Sequence, residues 1–268
     1  MIVVIGLGNM GAAVAERLVA SGHDVAAVDL DAASRNAWSA KTGVSAYADL
    51  QELDWKRAER AVIVVRLTSQ AETVLQQLAM LAAPQQLSVY LMTTLDIDFA
   101  RSLSERDNGS LRVLETPVSG GDAIARAGQL TVMMAGSATE DDVAFLTDTL
   151  ASHLERFERH GDPTLVKLLN NVTASYNART LAEMLLIAKT HGLDPRSLQR
   201  ILATSSGGSW VTSRFGDLLD DLLVKDAGLL ETLVGQLPSM TVSDHKLFTQ
   251  RLSRARELLR DEAPVAAP

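Results

Sequence analysis

Two sets of residues in this sequence have types and spacings suited to chemistry. The hexapeptide Gly6-Leu7-Gly8-Asn9-Met10-Gly11 spells G-x-G-x-x-G, after an apolar run from Ile2 to Ile5 and before Ala12, Ala13, Val14, Leu18 and Val19 at helical spacing. In a strand, turn and helix context Gly6 permits the tight turn, Gly8 lets a pyrophosphate approach the backbone, and Gly11 lets helix and strand pack closely. The free N–H groups and partial positive charge of the helix start then face the phosphates. Asp29 ends the next apolar run, Val25 to Val28, where an acid that accepts both ribose hydroxyls is expected. Such an acid repels a 2′-phosphate, so the expected cofactor is NAD. Arg35 lies a few residues on and keeps NADP possible.

The second set is Lys167 and Asn171, spaced to share one face of a helix. A lone helix lysine is ordinarily solvated. Here Leu165, Val166, Leu168 and Leu169 predict a largely buried helix, where desolvation would lower the amine's pKa toward the working pH of a base.

The elements that must position these residues are legible as apolar runs. Short β-branched or apolar stretches at 2–5, 25–28, 61–65, 87–92, 112–115 and 131–135 alternate with helical or polar sequence, which predicts a doubly wound, Rossmann-type parallel sheet. After Gly161 the pattern becomes helical throughout: Asp162 is expected to cap, Pro163 to open the helix, and Thr164 to about His191 to continue it. Gly192 to Pro195 ends that helix and starts another, and Ser205 to Ser209 is a loop before Trp210, which by default is core. The expected organisation is a dinucleotide-binding domain over 1–161 and an all-helical substrate and oligomerisation domain over 162–268. The tail from Ala263 to Pro268 reads as frayed.

Composition narrows the partners. The 268 residues carry 33 acidic and 25 basic side chains, a formal net charge of −8, which argues against nucleic acid and anionic lipid. The absence of cysteine excludes disulfides and thiolate metal sites and fits a cytoplasmic protein. The N-terminus lacks a basic lead-in to its short apolar run, so no signal peptide is expected, and no apolar run approaches a membrane span. His23, His153, His160, His191 and His245 are scattered and read as structural, and no metal is expected.

A further glycine segment, Glu115-Thr116-Pro117-Val118-Ser119-Gly120-Gly121, follows a predicted strand and is trailed by Ala125, Gly128, Gln129 and Leu130. With the K-x-x-x-N spacing of Lys167 and Asn171, the chain here resembles the β-hydroxyacid dehydrogenase family, which includes 3-hydroxyisobutyrate dehydrogenase and tartronate semialdehyde reductase. That family carries D-A-P-V-S-G-G followed by an alanine and G-T-L. The resemblance implies that Ser119, Gly120 and Gly121 hold a substrate carboxylate, which suits a run of glycine N–H groups plus a hydroxyl donor. It also implies that Lys167 is the catalytic acid and base and that Asn171 orients substrate, with Asn170 pointing elsewhere.

Other matches are Thr93-Thr94, with Thr94 beside the nicotinamide; Leu67-Thr68, where members usually have Leu-Pro; Gly192 to Pro195; Ser205 to Gly207; and Lys225-Asp226. The resemblance implies that Lys225 closes over cofactor and substrate, and Asp226 orients the local helix. It runs from the first strand to about Leu230. Pro163 and Ile124 stand where the family has glycines, Arg66 follows the third strand unexpectedly, and the C-terminus is charged, with Arg251, Arg254, Arg256 and Arg260. The implied activity is hydride transfer between NAD, or NADP, and a small anionic 3-hydroxy acid or its semialdehyde, by a homodimer or homotetramer. The rival readings are an imine reductase, whose members generally lack the lysine, and a dinucleotide-binding protein without turnover.

Overall fold

The computed structural model describes residues 1–82, 86–239, 242 and 245–258. The tail from Ala263 to Pro268, Arg260, and the side chains of His245, Arg251, Arg254 and Arg256 lie outside the described residues.

The chain opens as β1 (Ile2–Ile5), α1 (Asn9–Ala20), β2 (Val25–Val28), α2 (Ala32–Thr42), β3 (Ala46–Tyr47), β4 (Arg60–Ile63) and α3 (Thr68–Leu81). It continues as β5 (Leu87–Leu91), α4 (Ile97–Ser102), β6 (Leu111–Glu115), β7 (Val118–Ser119), α5 (Asp122–Arg126), β8 (Leu130–Ala135), α6 (Glu140–Thr149) and β9 (Ala151–Phe157). All these strands join one sheet in the order β3-β2-β1-β4-β5-β6-β8-β7, with β9 on the other edge of β8. Both faces are covered: Ile2 and Val4 of β1 enter one buried cluster with α1, while Val3 and Ile5 enter another with α3. That is why the strands read as unbroken apolar runs rather than alternations.

Pairing is parallel from β3 to β6. There the expected doubly wound sheet ends, because β8 runs antiparallel to β6 and β7. A register of Glu115 opposite Ala135 and Val118 opposite Val132 makes β6 and β7 one nearly continuous line along β8. β9 then pairs parallel with β8, and the sequence offered no signal for it: Ala-Ser-His-Leu-Glu-Arg-Phe is polar and mostly exposed, as an edge strand tolerates.

The second half is helical: α7 (Asp162–Thr190), α8 (Pro195–Ala203), α9 (Trp210–Ser213), α10 (Asp220–Val234) and α11 (His245–Leu258). Gly192 and Asp194 do end α7 and cap α8, the Asp194 carboxylate accepting from the Arg196 and Ser197 N–H groups. Leu168, Val172 and Leu230 form a small buried core between α7 and α10. Trp210 is not core: it is more than half exposed, with the Arg214 guanidinium 5.2 Å from its ring centre. The helix around Lys167 is also less buried than expected, since Leu168 is sealed but Val166 and Leu169 face outward.

Asp162 does not cap α7. Its carboxylate lies in the first turn and pairs with Arg159, while Gly161 takes the cap position at φ 90°. The cap comes from the sheet. Glu115, fully buried at the end of β6, accepts from Gly161 N at 2.6 Å and Thr164 N at 2.8 Å, and His160 Nδ1 lies 3.4 Å away. A carboxylate on the free N–H groups of a helix start is a charge-assisted cap. Glu115→Ala is expected to lower unfolding free energy by about 3 kcal/mol, because two charge-assisted bonds disappear from a buried place. Glu115→Gln, which keeps an acceptor, should lose less. Urea denaturation followed by circular dichroism measures both, and an unchanged alanine variant would show that this contact does not hold the helix.

Candidate functional site

The site is assembled along the carboxyl ends of the parallel strands. β1 and β4 are neighbours whose following helices, α1 and α3, cover opposite faces, so a crevice opens between them, where open α/β sheets bind ligands. Its floor is the glycine loop, and each glycine is required for a different reason. Gly6 has φ 97°, and a Cβ on it would meet Val64 O at 2.3 Å. At Gly11 a Cβ would stand 1.9 Å from Gly6 O, so helix and loop touch there. At Gly8 a Cβ would meet nothing within 4 Å. The space above Gly8 is therefore open on the ligand side, and no side chain caps the start of α1 at Asn9 and Met10. This fits a dinucleotide pyrophosphate on the bare N–H groups.

Asp29, just past β2, aims its carboxylate back at this loop. Oδ2 accepts from Leu7 N at 2.5 Å and Oδ1 from Asp31 N at 2.8 Å. The Arg35 guanidinium is held by the Asp29 and Leu30 carbonyls at 2.7 and 2.9 Å. Leu67, after β4, is nearly half exposed and opens α3, its N–H bonded to Gln70. Thr93 ties the ends of β4 and β5 through Val65 N and O at 3.0 Å each, placing Thr94 at the same edge. Arg66 pairs with Asp221 of α10, so the unexpected arginine joins the β4 loop to the helical half.

β6 and β7 bring in Ser119, Gly120 and Gly121. The two glycines have φ 139° and 80°, and a Cβ on Gly120 would strike Ile124 at 2.7 Å. Ile124, which replaces a glycine in the resembled pattern, thus packs beneath the turn. Ser119 pairs with Thr131 in β8, and the turn follows immediately.

α7 supplies Lys167, Asn170 and Asn171, and α10 supplies Lys225 and Asp226. Lys167 is partly exposed as a residue, yet the surrounding protein desolvates its ammonium and pushes its pKa down to about 8. Asp226 opposes that fall and the Lys225 charge adds to it. Asp226 is itself buried: one oxygen accepts from Asn171 Nδ2 at 2.5 Å, the other lies 3.0 Å from Lys225 Nζ. Its contacts thus go to two site residues rather than to the backbone of its own helix, which it was expected to orient. Contrary to expectation, Asn170 does not point elsewhere: its Nδ2 lies 3.3 Å from Ser119 Oγ and 3.1 Å from Asn171 Oδ1. Sequence reasoning missed Glu115, whose only signal was a carboxyl side chain directly before the glycine segment, and undervalued Asp226 and Asn170.

Among the described residues no group of three or more His, Cys, Asp or Glu side chains is gathered as a metal site, and no helix is long and apolar enough to cross a membrane.

Comparison with known proteins matches this geometry. The family model of the NAD binding domain of 6-phosphogluconate dehydrogenase covers residues 1–152, and that of the NAD-binding region of NADP-dependent 3-hydroxyisobutyrate dehydrogenase covers residues 161–236. The chain is 32% identical over 244 residues to L-threonate dehydrogenase of Cupriavidus necator, spanning 85% of this chain and 81% of that protein. In fold it is similar to 3-hydroxyisobutyrate dehydrogenase from Salmonella typhimurium, with TM-score 0.78 and 24% identity over 94% of each chain. The Streptomyces aurantiacus imine reductase shares the fold with TM-score 0.64 and 17% identity, covering 86% of this chain and 78% of that one.

The glycine geometry separates folding from binding. Gly11→Ala is expected to destabilise by about 3 kcal/mol or more, because backbone must move to admit the methyl group. Gly8→Ala should unfold like the parent but bind NAD(P)H at least tenfold more weakly, since its methyl group occupies the pyrophosphate's space. Denaturation curves and NADH fluorescence titrations read the two effects, and a Gly8→Ala protein with parental affinity would remove the pyrophosphate from this loop.

Proposed function

Because this chain belongs to the β-hydroxyacid dehydrogenase family, we propose that it interconverts a small 3-hydroxy acid and its semialdehyde with NAD(P), using Lys167 as the proton-transfer group. The observation that carries this reading is the Lys167 ammonium, ringed by protein, held near pKa 8, and set one helical turn from Asn171. An amine poised there exchanges protons in both directions near neutral pH.

The Gly6 to Gly11 loop (Gly6, Leu7, Gly8, Asn9, Met10 and Gly11), Asp29, Leu67, Thr94 and Lys225 would hold the cofactor, which supplies the hydride acceptor or donor when bound. We assign NAD as the preferred form: the Asp29 carboxylate occupies the place of a ribose acid, and Arg35 is already engaged by two carbonyls. Ser119 Oγ and the Gly120 and Gly121 N–H groups receive the substrate carboxylate. Asn171 donates to the substrate oxygen, and neutral Lys167 accepts the hydroxyl proton in oxidation. In reduction the ammonium returns that proton to the developing alkoxide. The working boundary of the two halves is placed at Gly161, with substrate specificity in 162–268, and the absence of cysteine supports a reducing, cytoplasmic setting.

The same reading includes a second copy of the chain. Leu186, Ile187, Leu193, Ile201 and Val224 are each more than half exposed on α7, α8, α10 and the α7–α8 turn, while the core between α7 and α10 is small. Apolar helix faces of this kind are usually covered in solution. Light scattering after gel filtration should give twice or four times the 28.8 kDa chain mass. A mass equal to one chain would withdraw the oligomer.

The activity is tested with oxidised NAD and NADP against 3-hydroxyisobutyrate and L-threonate, and with NADH and NADPH against their oxidised forms and a cyclic imine. Turnover is expected on a hydroxy acid, and Lys167→Met should reduce it by a factor of about 10³ with NADH affinity intact. In oxidation the neutral amine is the working form, so kcat/KM should rise with pH to a plateau above about 8; in reduction the ammonium works, and the rate should fall across the same value. The lysine's lowered pKa means the unfolded chain holds the proton more tightly, so the methionine variant should not lose stability near neutral pH. Turnover on the imine alone, or cofactor binding with no turnover, would replace this reading.

A further inference from the structure

We propose that Asn170 is a positioning residue that passes the hydrogen-bond direction set by Asp226 and Asn171 on to Ser119, making the Ser119 hydroxyl a donor toward the substrate. The proposal rests on the hydroxy-acid reading above and adds to it a residue that the family resemblance sends elsewhere.

The direction is set from one end. Asp226 is paired with the Lys225 ammonium at 3.0 Å, and its other oxygen can only accept from Asn171 at 2.5 Å. The Asn171 amide must therefore turn its NH₂ toward Asp226 and its carbonyl oxygen toward Asn170. That oxygen is met by Asn170 Nδ2 at 3.1 Å, so Asn170 too has its NH₂ inward. A primary amide nitrogen carries two hydrogens. The second one reaches Ser119 Oγ at 3.3 Å. Ser119 thus accepts from Asn170, and its own hydroxyl hydrogen is left to point away from Asn170, into the turn formed with Gly120 and Gly121.

Two consequences follow for a bound hydroxy acid. The Ser119 hydroxyl is preset as a donor, which a carboxylate requires. Asn171 retains one amide hydrogen for the substrate oxygen, which leaves Lys167 as the acceptor of the hydroxyl proton. Without Asn170, Asp226 still holds the Asn171 amide, but nothing in this chain of contacts prevents Ser119 from turning its hydrogen inward. Asn170 is exposed and reaches neither Lys167 nor the cofactor loop through any of these bonds, so its effect acts through Ser119.

Asn170→Asp tests this with little change of shape, since it replaces the donor by an acceptor at the same length. Kinetics with saturating oxidised NAD for the hydroxy acid, or saturating NADH for its semialdehyde, compare each with the matching primary amide, which lacks the carboxylate charge. The aspartate variant should raise KM for the acid at least tenfold and lower the acid-to-amide ratio of kcat/KM at least tenfold, with NADH affinity unchanged. Asn170→Ala should lower kcat/KM for the acid severalfold, and Ser119→Ala combined with Asn170→Ala should lose less than the product of the single losses. A merely structural side chain would move acid and amide alike. If the wild type turns over hydroxy acid and both Asn170 variants match it within twofold, the proposal is overturned while the activity stands. If the wild type turns over nothing on the panel, the activity falls and takes this proposal with it.

Discussion

Glu115 ties the two halves of the molecule through a single buried carboxylate. It closes β6, and its two oxygens take the Gly161 and Thr164 N–H groups that a helix start leaves unpaired. Four residues after it comes Ser119, and six residues after Gly161 comes Lys167, so one side chain sets the register of the proposed anion-binding turn against that of the proposed base. A shift of α7 by a single residue would rotate Lys167 off the cleft and separate Asn170 from Ser119. The family-model boundary between residues 152 and 161 falls just before this contact. Burying a carboxylate is costly unless its lone pairs are filled, and here helix N–H groups fill them while the start of the helix supplies compensating positive charge.

The electrostatics downstream follow from that placement. A chain of net charge −8 has to attract an anionic cofactor and an anionic acid by local means. At the cofactor end these are backbone N–H groups. At the proposed substrate end they would be Ser119, two glycines and a pair of lysines whose charges oppose one another. Asp226 pairs with Lys225, and Lys167, surrounded by protein and with no ion-pair partner among the described residues, is easier to deprotonate. Had Asp226 paired with Lys167 instead, the same burial would have been offset and the amine would have stayed charged, which serves binding but not proton transfer.

What the sequence disclosed depended on whether the signal was local. The glycine loop, Asp29 and the strands before it depend on neighbours within a few residues, and their bounds in β1 and β2 agree with the structure to the residue. Edge strand β9 escaped because its stability comes from pairing with β8 rather than from apolar content. The cap was assigned to Asp162 because it is adjacent in sequence, whereas the real partner lies in the sheet, 46 residues earlier than Gly161. Asn170 was misplaced for the same reason: helical spacing separates it from Lys167, but its partner Ser119 lies on another element 51 residues away. Trp210 shows the converse, a large apolar type whose burial was presumed from type alone.

The helical half raises a different physical question, because the buried core described between α7 and α10 is small. Leu168, Val172 and Leu230 are the buried members of that core, yet the residues they support, Asn171 and Asp226, are one or a few positions away and must be held to within tenths of an ångström for proton transfer. Polar contacts supply what packing does not. Asn171 bonds Asp226 across the two helices, Tyr176 donates to the Pro238 carbonyl, and Arg66 reaches from the sheet to Asp221 on α10. The exposed Arg66–Asp221 pair contributes little to stability by itself. The buried Asn171–Asp226 bond is the stronger tie, and it lies within the proposed site. The residues that would position substrate are thus also those that fasten α7 to α10, so this platform is rigid where the chemistry needs it and apolar outward, where a second chain would complete the packing.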